Sequence, residues 1–420
     1  MIKAVTGTKD ILPDEIYKWR YLEEIVITTL TKYNYKEIRT PIFEETKLFA
    51  RGIGETTDIV SKEMYTFFDR SGTSITLKPE MTASVVRALI EHSLFKKQSL
   101  NKFFYISPMF RQERPQAGRL RQFHQFGAEA IGSNNPLLDA EMIIIAYNIL
   151  KKLGLKNLSV KINSLGVPQS RENYKKILRE YLNNYYNDLS NDSKKRFETN
   201  ILRIFDSKEE QDQKIMANAP LLIEYLDDES LEHFEKVKRA LLNAHVPFEI
   251  DAKLVRGLDY YTHTTFEIIS SSVGAQSALC GGGRYNGLSK ELEGPDLPGV
   301  GFAAGIERIL LACENENTIN ANEEKIDLYI VTIEKNLSEF AFNLAVKLRE
   351  ENLSVELDYL ERSLKAQMRE ANKFNSRFTL IAGGEEFQNG YIVLKNMANG
   401  EQTNISVDDI NKLISILMEK

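Results

Sequence analysis

Residues 99–132 read SLNKFFYISPMFRQERPQAGRLRQFHQFGAEAIG. The first arm, LNKFFYISPMFR, is rich in aromatic and apolar residues. The turn region, QERPQAGRLR, holds proline, glycine and charge, which punctuate chain direction. The returning arm is QFHQFGAEAIG. This is the pattern of a long antiparallel hairpin. Pleating sends alternate side chains to opposite faces, so Gln125, Gly127 and Glu129 share one face and His124, Phe126 and Ala128 the other. A glycine between two polar residues predicts a shallow floor where a ligand lies against backbone.

Working outward, the N-terminal stretch reads helix then strand. Asp10 or Asp14 is placed to cap a helix beginning near Pro13. Ile16, Leu22, Ile25, Val26 and Leu30 recur at helical spacing, and residues 35–41 read as a strand leaving that helix. Residues 168–248 change character: charged, rich in Asn, Lys and Tyr, and helical in pattern, they read as an insertion. Strands return at residues 248–255 and 264–270, followed by Gly281-Gly282-Gly283. PGVGFAAGIERILLA then reads as strand, turn and helix.

The segment ENENTINANEEK at 314–325 is the linker candidate. Beyond it strands (IDLYIVTI, SVELDYL, RFTLIAGG, GYIVLKN) alternate with helices (residues 337–349, 363–374 and 407–418), the signature of a small α/β domain. The expected domains are residues 1–320, with the insertion at 168–248, and residues 326–420.

Composition narrows the function. Over 420 residues, 42% are hydrophobic and 27% charged, an ordinary globular balance. No segment reaches the roughly 20 apolar residues of a membrane helix, and MIKAVTGTKDILPDE lacks the pattern of an export signal. Two cysteines, Cys280 and Cys313, exclude a disulfide framework and fit a cytoplasmic location. A net charge of −6 speaks against a general nucleic-acid coat but not against an RNA-binding enzyme with local basic patches.

Arginine placement suggests an anion site. Arg111, Arg114, Arg119 and Arg121 crowd the hairpin turn beside Glu113. Arg256 lies in LVRGLDYY, and Arg308 begins the GIERILL helix. A guanidinium is a planar fork of donors suited to phosphate. Surface solvation accounts for most arginines, and for Arg114 and Arg119 it competes evenly. It explains Arg111, Arg256 and Arg308 less well, because each lies in a patterned, partly apolar segment.

Glu80 and Thr82 sit in TLKPEMTASVVRAL, where a carboxylate near a helix start is ordinarily a capping group. Glu129 on a half-buried strand face needs a partner, either a neighbouring arginine or a bound cationic group. Tyr260 and Tyr261 alternate at a strand end, so one is expected to point inward. His124 reads as packing. Neither GxxxxGK[ST] nor a first-strand GxGxxG is present, and no compact metal spacing appears.

These motifs resemble the bacterial histidyl-tRNA synthetases over essentially the whole chain. Three class II signature regions are recognisable: the N-terminal helix with IRTPIFEETKLF, then MFRQERPQAGRLRQFHQFGAEAIG, then PGVGFAAGIERILL. LVRGLDYYTHTTFEI and CGGGRYNGL point to the histidine type. The resemblance implies an α+β fold: a class II antiparallel-sheet catalytic domain with a helical insertion, then a C-terminal α/β anticodon-binding domain. It implies a cytoplasmic homodimer that activates histidine with ATP and magnesium, then loads tRNA(His).

It also implies residue roles. Arg111 would hold the α-phosphate and Arg308 the γ-phosphate, with Glu113 beside them. Arg256 would serve the α-phosphate and the substrate carboxylate. Glu80, Thr82 and Gln125 would take histidine's amino end. Glu129 and Tyr261, with Tyr260 alongside, would read the ring, although which carboxylate takes the amino group stays open. Arg114, Gln116, Arg119 and Arg121 would approach the tRNA acceptor end. Two departures stand out: Asn286 where aspartate is expected, and Met81 where many relatives have glycine. The rivals are a histidine-binding biosynthetic regulator, disfavoured by the C-terminal domain and Arg256, and a synthetase for threonine or proline.

Overall fold

The computed structural model describes the chain apart from residues 55, 56, 58, 117, 256, 257, 259, 277, 320–324 and 420. It divides into two compact units, Met1–Ala321 and Asn322–Lys420.

The first unit is built on an eight-stranded sheet. The predicted hairpin forms its second and third strands, Asn101–Phe110 and Gln122–Ile131, paired in antiparallel register from Asn101↔Ile131 to Phe110↔Gln122. Gln122–Ile131 also pairs with Gly299–Gly305. The sheet then continues antiparallel through Ala278–Arg284, Thr262–Ser270 and Leu158–Ser164. Each edge is closed by a two-residue parallel strand, Lys36–Glu37 on one side and Glu249–Ile250 on the other. The longer strands expected at residues 35–41 and 248–255 are therefore only short edge pairings.

One face of this sheet is apolar. Phe126, Ala128, Phe302, Ala304, Ile162 and Ile268 pack there in a single core. Several helices cover it, among them Asp228–Asn243, Ile306–Glu316 and the two described next. Ile16–Lys32 buries Trp19, Leu22, Val26 and Leu30, a spacing that keeps one stripe inward. It starts later than expected: Glu15 is its N-cap, and neither Asp10 nor Asp14 caps it. Pro136–Lys152 begins with a proline, and the Asn135 side chain accepts from the Leu137 N–H at 3.0 Å, so its start is specified locally.

The opposite face meets a second core containing Met81, Tyr105, Tyr260, Tyr261 and Tyr285. The charged 168–248 stretch folds into helices Pro168–Asn183, Asn191–Thr199, Glu210–Ala217 and Asp228–Asn243 with short turns between. Its joints are polar: Asp212 accepts from the hydroxyls of Ser190, Ser193 and Ser207.

The second unit is a five-stranded sheet. Leu328–Thr332 lies between parallel neighbours Val355–Leu357 and Phe378–Ala382, and Tyr391–Asn396 and Gln402–Ser406 add antiparallel strands. Ser338–Glu350 and Ile410–Met418 supply Leu344, Leu348, Leu413 and Leu417 to its core. Gln402–Ser406 escaped the sequence reading because QTNIS carries only one apolar side chain, Ile405, which is buried. Among the described residues no helix is long and apolar enough to cross a membrane. Cys280 and Cys313 are both buried and form no disulfide.

Candidate active site

A cavity of about 310 Å³ opens on the polar face of the large sheet. Its lining joins the hairpin, the Glu80–Thr82 turn, the glycine-rich strand and the start of helix Ile306–Glu316. It has two chemically different ends.

At one end stand arginines. Arg111 donates from Nε to the Pro79 carbonyl at 2.9 Å and lies over the Phe123 ring at 5.3 Å. Arg308 donates to the carbonyls of Gly118 (3.1 Å) and Ala278 (2.9 Å). Its guanidinium is held below its usual range by burial and by the like charges of Arg119 and Arg111. Glu113 is the local counter-charge, 3.1 Å from Arg119 and 3.7 Å from Arg111. Glu267 lines the same cavity. Backbone carbonyls thus aim the forks of Arg111 and Arg308 while leaving donor capacity for an anion.

The other end is a buried polar cradle. Glu129 is 1% exposed. Its Oε1 accepts from the Thr82 hydroxyl at 2.8 Å and its Oε2 from the Tyr285 hydroxyl at 2.7 Å. Burial pushes this carboxyl up to about 8, against the pull of those two hydrogen bonds, and the nearby Glu80 charge adds to the rise. Of the two partners the sequence leaves open, an arginine or a bound cationic group, the arginine is not among its hydrogen-bond partners in the described residues. Hydroxyls from two distant segments do the work instead.

Glu80 is also buried. Its carboxylate accepts from the backbone N–H of Thr82 (2.7 Å) and of Ala83 (2.9 Å), tying down the first turn of helix Thr82–Glu91. The capping explanation is therefore realised, and Glu80 faces the cavity as well. Burial raises its pKa despite these bonds.

Gln125 lines the cavity, opposite Ser107 and Gly305 in register. Tyr260 and Tyr261 are both buried, with ring centroids 4.8 Å apart, so the expectation that only one turns inward is corrected. Both sit where the chain enters Thr262–Ser270 and pack beneath the insertion, whose Arg171 donates to the Tyr261 carbonyl at 2.6 Å. The floor at Gly127 is not open for a ligand. A Cβ there would come within 2.4 Å of the Tyr105 hydroxyl, so the Tyr105 ring occupies that space.

Arg256 lies outside the described residues. The four hairpin-turn residues separate. Arg119 turns into the cavity. Arg121 packs back on the N-terminal segment, donating its backbone N–H to the Gly7 carbonyl at 2.7 Å. Arg114 and Gln116 are exposed. His124 pairs with Glu307 at 2.9 Å and meets Trp19 edge-on, a packing role. Of the two departures, Met81 is buried with its sulfur 3.4 Å from the Thr40 hydroxyl. Asn286 donates to Asn134 at 2.8 Å and accepts from the Gly299 N–H at 3.3 Å.

Sequence reasoning missed Tyr105 and Glu267 as cavity residues. It also missed the support behind Tyr285. Arg284 is fully buried and clamps Asp139 with Nε 3.1 Å from both carboxylate oxygens, while donating to the Ser133 carbonyl at 2.9 Å. A charged residue between a glycine run and a tyrosine was the available signal.

A family model described as histidyl-tRNA synthetase matches residues 7–309, and one described as anticodon binding domain matches residues 327–416. The chain is 51% identical to the histidine–tRNA ligase of Caldanaerobacter subterraneus subsp. tengcongensis, over 99% of each chain. It is 49% identical to that of Halothermothrix orenii, over 98% of this chain and 100% of the other. The crystal structure of apo S. aureus histidyl-tRNA synthetase superposes with a TM-score of 0.83 at 40% identity, covering 99% of this chain and 100% of that one.

Proposed function

The chain belongs to the histidyl-tRNA synthetase family and is a histidine–tRNA ligase, and from this we infer that the cavity on the large sheet divides between ATP and histidine. The observation that carries the assignment of residues is the pairing of Arg111 and Arg308 at one end with the Glu129 cradle at the other.

The reaction activates histidine with ATP, releasing pyrophosphate, and then loads tRNA(His). In the first step a histidine carboxylate oxygen attacks the α-phosphorus in line. In the second, the tRNA terminal hydroxyl attacks the adenylate carbonyl and AMP departs. Neither step needs a protein nucleophile, so positioning and charge dominate.

Arg111 serves the α-phosphate and Arg308 the γ-phosphate. Arg256 serves the α-phosphate and the histidine carboxylate, a role carried by the family pattern in LVRGLDYY alone. Magnesium is proposed to arrive with ATP. The phosphates would be its main ligands, with Glu113 and Glu267 among the carboxylates that line the same cavity. It would neutralise charge on the phosphates.

Glu80, Thr82 and Gln125 receive the amino end of histidine. Glu129 and Tyr261 read the ring, whose two nitrogens each donate or accept. An amino acid without them would leave buried polar groups unpaired, which costs about 10⁴–10⁵ in discrimination. Arg114 and Gln116 remain available for the tRNA acceptor end. Arg119 and Arg121 act more indirectly, by holding Glu113 and the N-terminal segment.

We further propose a homodimer working in the cytoplasm. The exposed Phe43, Phe67 and Phe68 on the small sheet of residues 43–45, 65–68 and 74–77 are apolar surface suited to a second copy.

The test is ATP–pyrophosphate exchange with histidine, repeated with other amino acids, then charging of tRNA. Exchange dependent on histidine is expected. Equal exchange with threonine or proline would refute the assigned ring-reading site.

A further inference from the structure

The strand Gly299–Gly305 opens with Gly299-Val300-Gly301. Residues two apart on a strand share a face, so both glycines present bare backbone on the face that carries Glu129, which lies opposite Gly301 in register. Neither space is vacant. A Cβ on Gly299 would lie 2.2 Å from Cε2 of Tyr285 and 2.8 Å from two further atoms of that ring. A Cβ on Gly301 would lie 1.7 Å from Oε2 of Glu129 and 2.6 Å from its carboxyl carbon. The two occupants are the pair joined by the 2.7 Å hydrogen bond.

Neither glycine adopts a left-handed φ. Glycine is therefore required at these positions for space, not for backbone freedom. Any other residue would place a Cβ where the tyrosine ring or the carboxylate stands.

We propose that Gly299 and Gly301 are specificity-determining positions for histidine: together they form a trough that seats the Tyr285 ring and the Glu129 carboxylate side by side. The trough lets Glu129 accept from Thr82 and Tyr285 at once while staying flat against the neighbouring strand. The inference rests on the reading that Glu129 faces the substrate ring. A side chain at either position pushes its occupant toward the cavity, into the volume the ring needs. Gly301 also closely approaches the Ala128 carbonyl, at 2.6 Å from its would-be Cβ, so part of its demand is strand contact. The three nearest atoms to a Cβ on Gly299 all belong to Tyr285, which makes that position the cleaner probe.

The experiment measures KM for histidine and for ATP by pyrophosphate exchange in wild type, Gly299→Ala, Gly301→Ala, Glu129→Ala and the two double variants with Glu129→Ala. Each glycine variant should raise the histidine KM about tenfold or more with the ATP KM within about twofold, the pattern of a lost substrate contact. Residues acting through one another are not additive, so Gly301→Ala should add little once Glu129 is truncated. Glycine variants with wild-type histidine KM, or full additivity with Glu129→Ala, overturn the trough while the ring-reading role of Glu129 stands. An unchanged histidine KM in Glu129→Ala alone overturns that role and the trough with it. Should Gly299→Ala fail to fold by circular dichroism, adding Tyr285→Ala should restore the fold; failure to do so places the clash elsewhere and overturns the inference.

Discussion

The Tyr285 hydroxyl donates to Oε2 of Glu129 at 2.7 Å across a floor where both residues are almost fully buried. A phenol and a carboxyl in that setting fix each other's orientation, and with burial pushing the carboxyl up to about 8 the bond is one between neutral groups, worth about 0.5–1.5 kcal/mol net. Tyr285→Phe should therefore raise the histidine KM by up to about tenfold and leave the ATP KM nearly unchanged. Pyrophosphate exchange with each substrate varied in turn decides this. An equal change in both constants would deny the pair its role.

Glu129→Ala and Tyr261→Phe are expected to weaken histidine use more than ATP use. Glu129 loses the acceptor and Tyr261 the hydroxyl assigned to the ring. If both variants kept the wild-type apparent affinity for histidine, the ring would have to be read elsewhere.

Stability should carry the mark of Glu129. Its folded pKa, about 8, lies above the ordinary value of 4.5. Between those values the native state holds a proton that the unfolded chain has released. Stability therefore falls as pH rises across that window and levels off above it. Glu129→Gln removes this titration, so thermal unfolding of the variant measured from pH 5 to 8 should decline less steeply than wild type. A parallel decline would show that Glu129 does not titrate there.

The Arg284–Asp139 pair predicts a different loss. Both side chains are fully buried. Burial alone would push the Asp139 carboxyl up, but hydrogen bonding from His233 and the Arg284 charge hold it below its usual range. Asp139→Ala leaves a guanidinium buried without its counter-charge, at a cost of about 3–5 kcal/mol. Denaturant unfolding followed by circular dichroism would register this as a lower midpoint, whereas an unchanged midpoint would mean that the pair contributes nothing net.

At the other end, Arg308→Ala and Arg256→Ala should reduce exchange by about 10²–10³-fold or more, the scale for losing a preorganised donor at a developing charge. Circular dichroism should stay native. Near-wild-type exchange in either variant would remove that residue from the phosphate site.

Local order was legible. The period-two alternation of QFHQFGAEAIG and the helical spacing of Ile16, Leu22, Ile25, Val26 and Leu30 are short-range signals, and the strand and helix they indicate form. The antiparallel catalytic sheet and the C-terminal α/β sheet follow from them and from the resemblance. The signal overran at residues 35–41, where only Lys36–Glu37 pairs, and failed at the polar Gln402–Ser406, because there the neighbours and not the sequence supply the pairing.

The contacts of Glu129 were settled only in three dimensions. Thr82 lies 47 residues before it and Tyr285 156 residues after it, while Gly301 arrives from a third segment. The same holds for Gly127, whose bare backbone reads as an open floor until Tyr105 is seen to fill it. Periodicity reports which face a side chain takes, since that depends on the backbone beneath it. What stands on that face depends on strand register and on how closely strands approach, and these are properties of the assembled sheet.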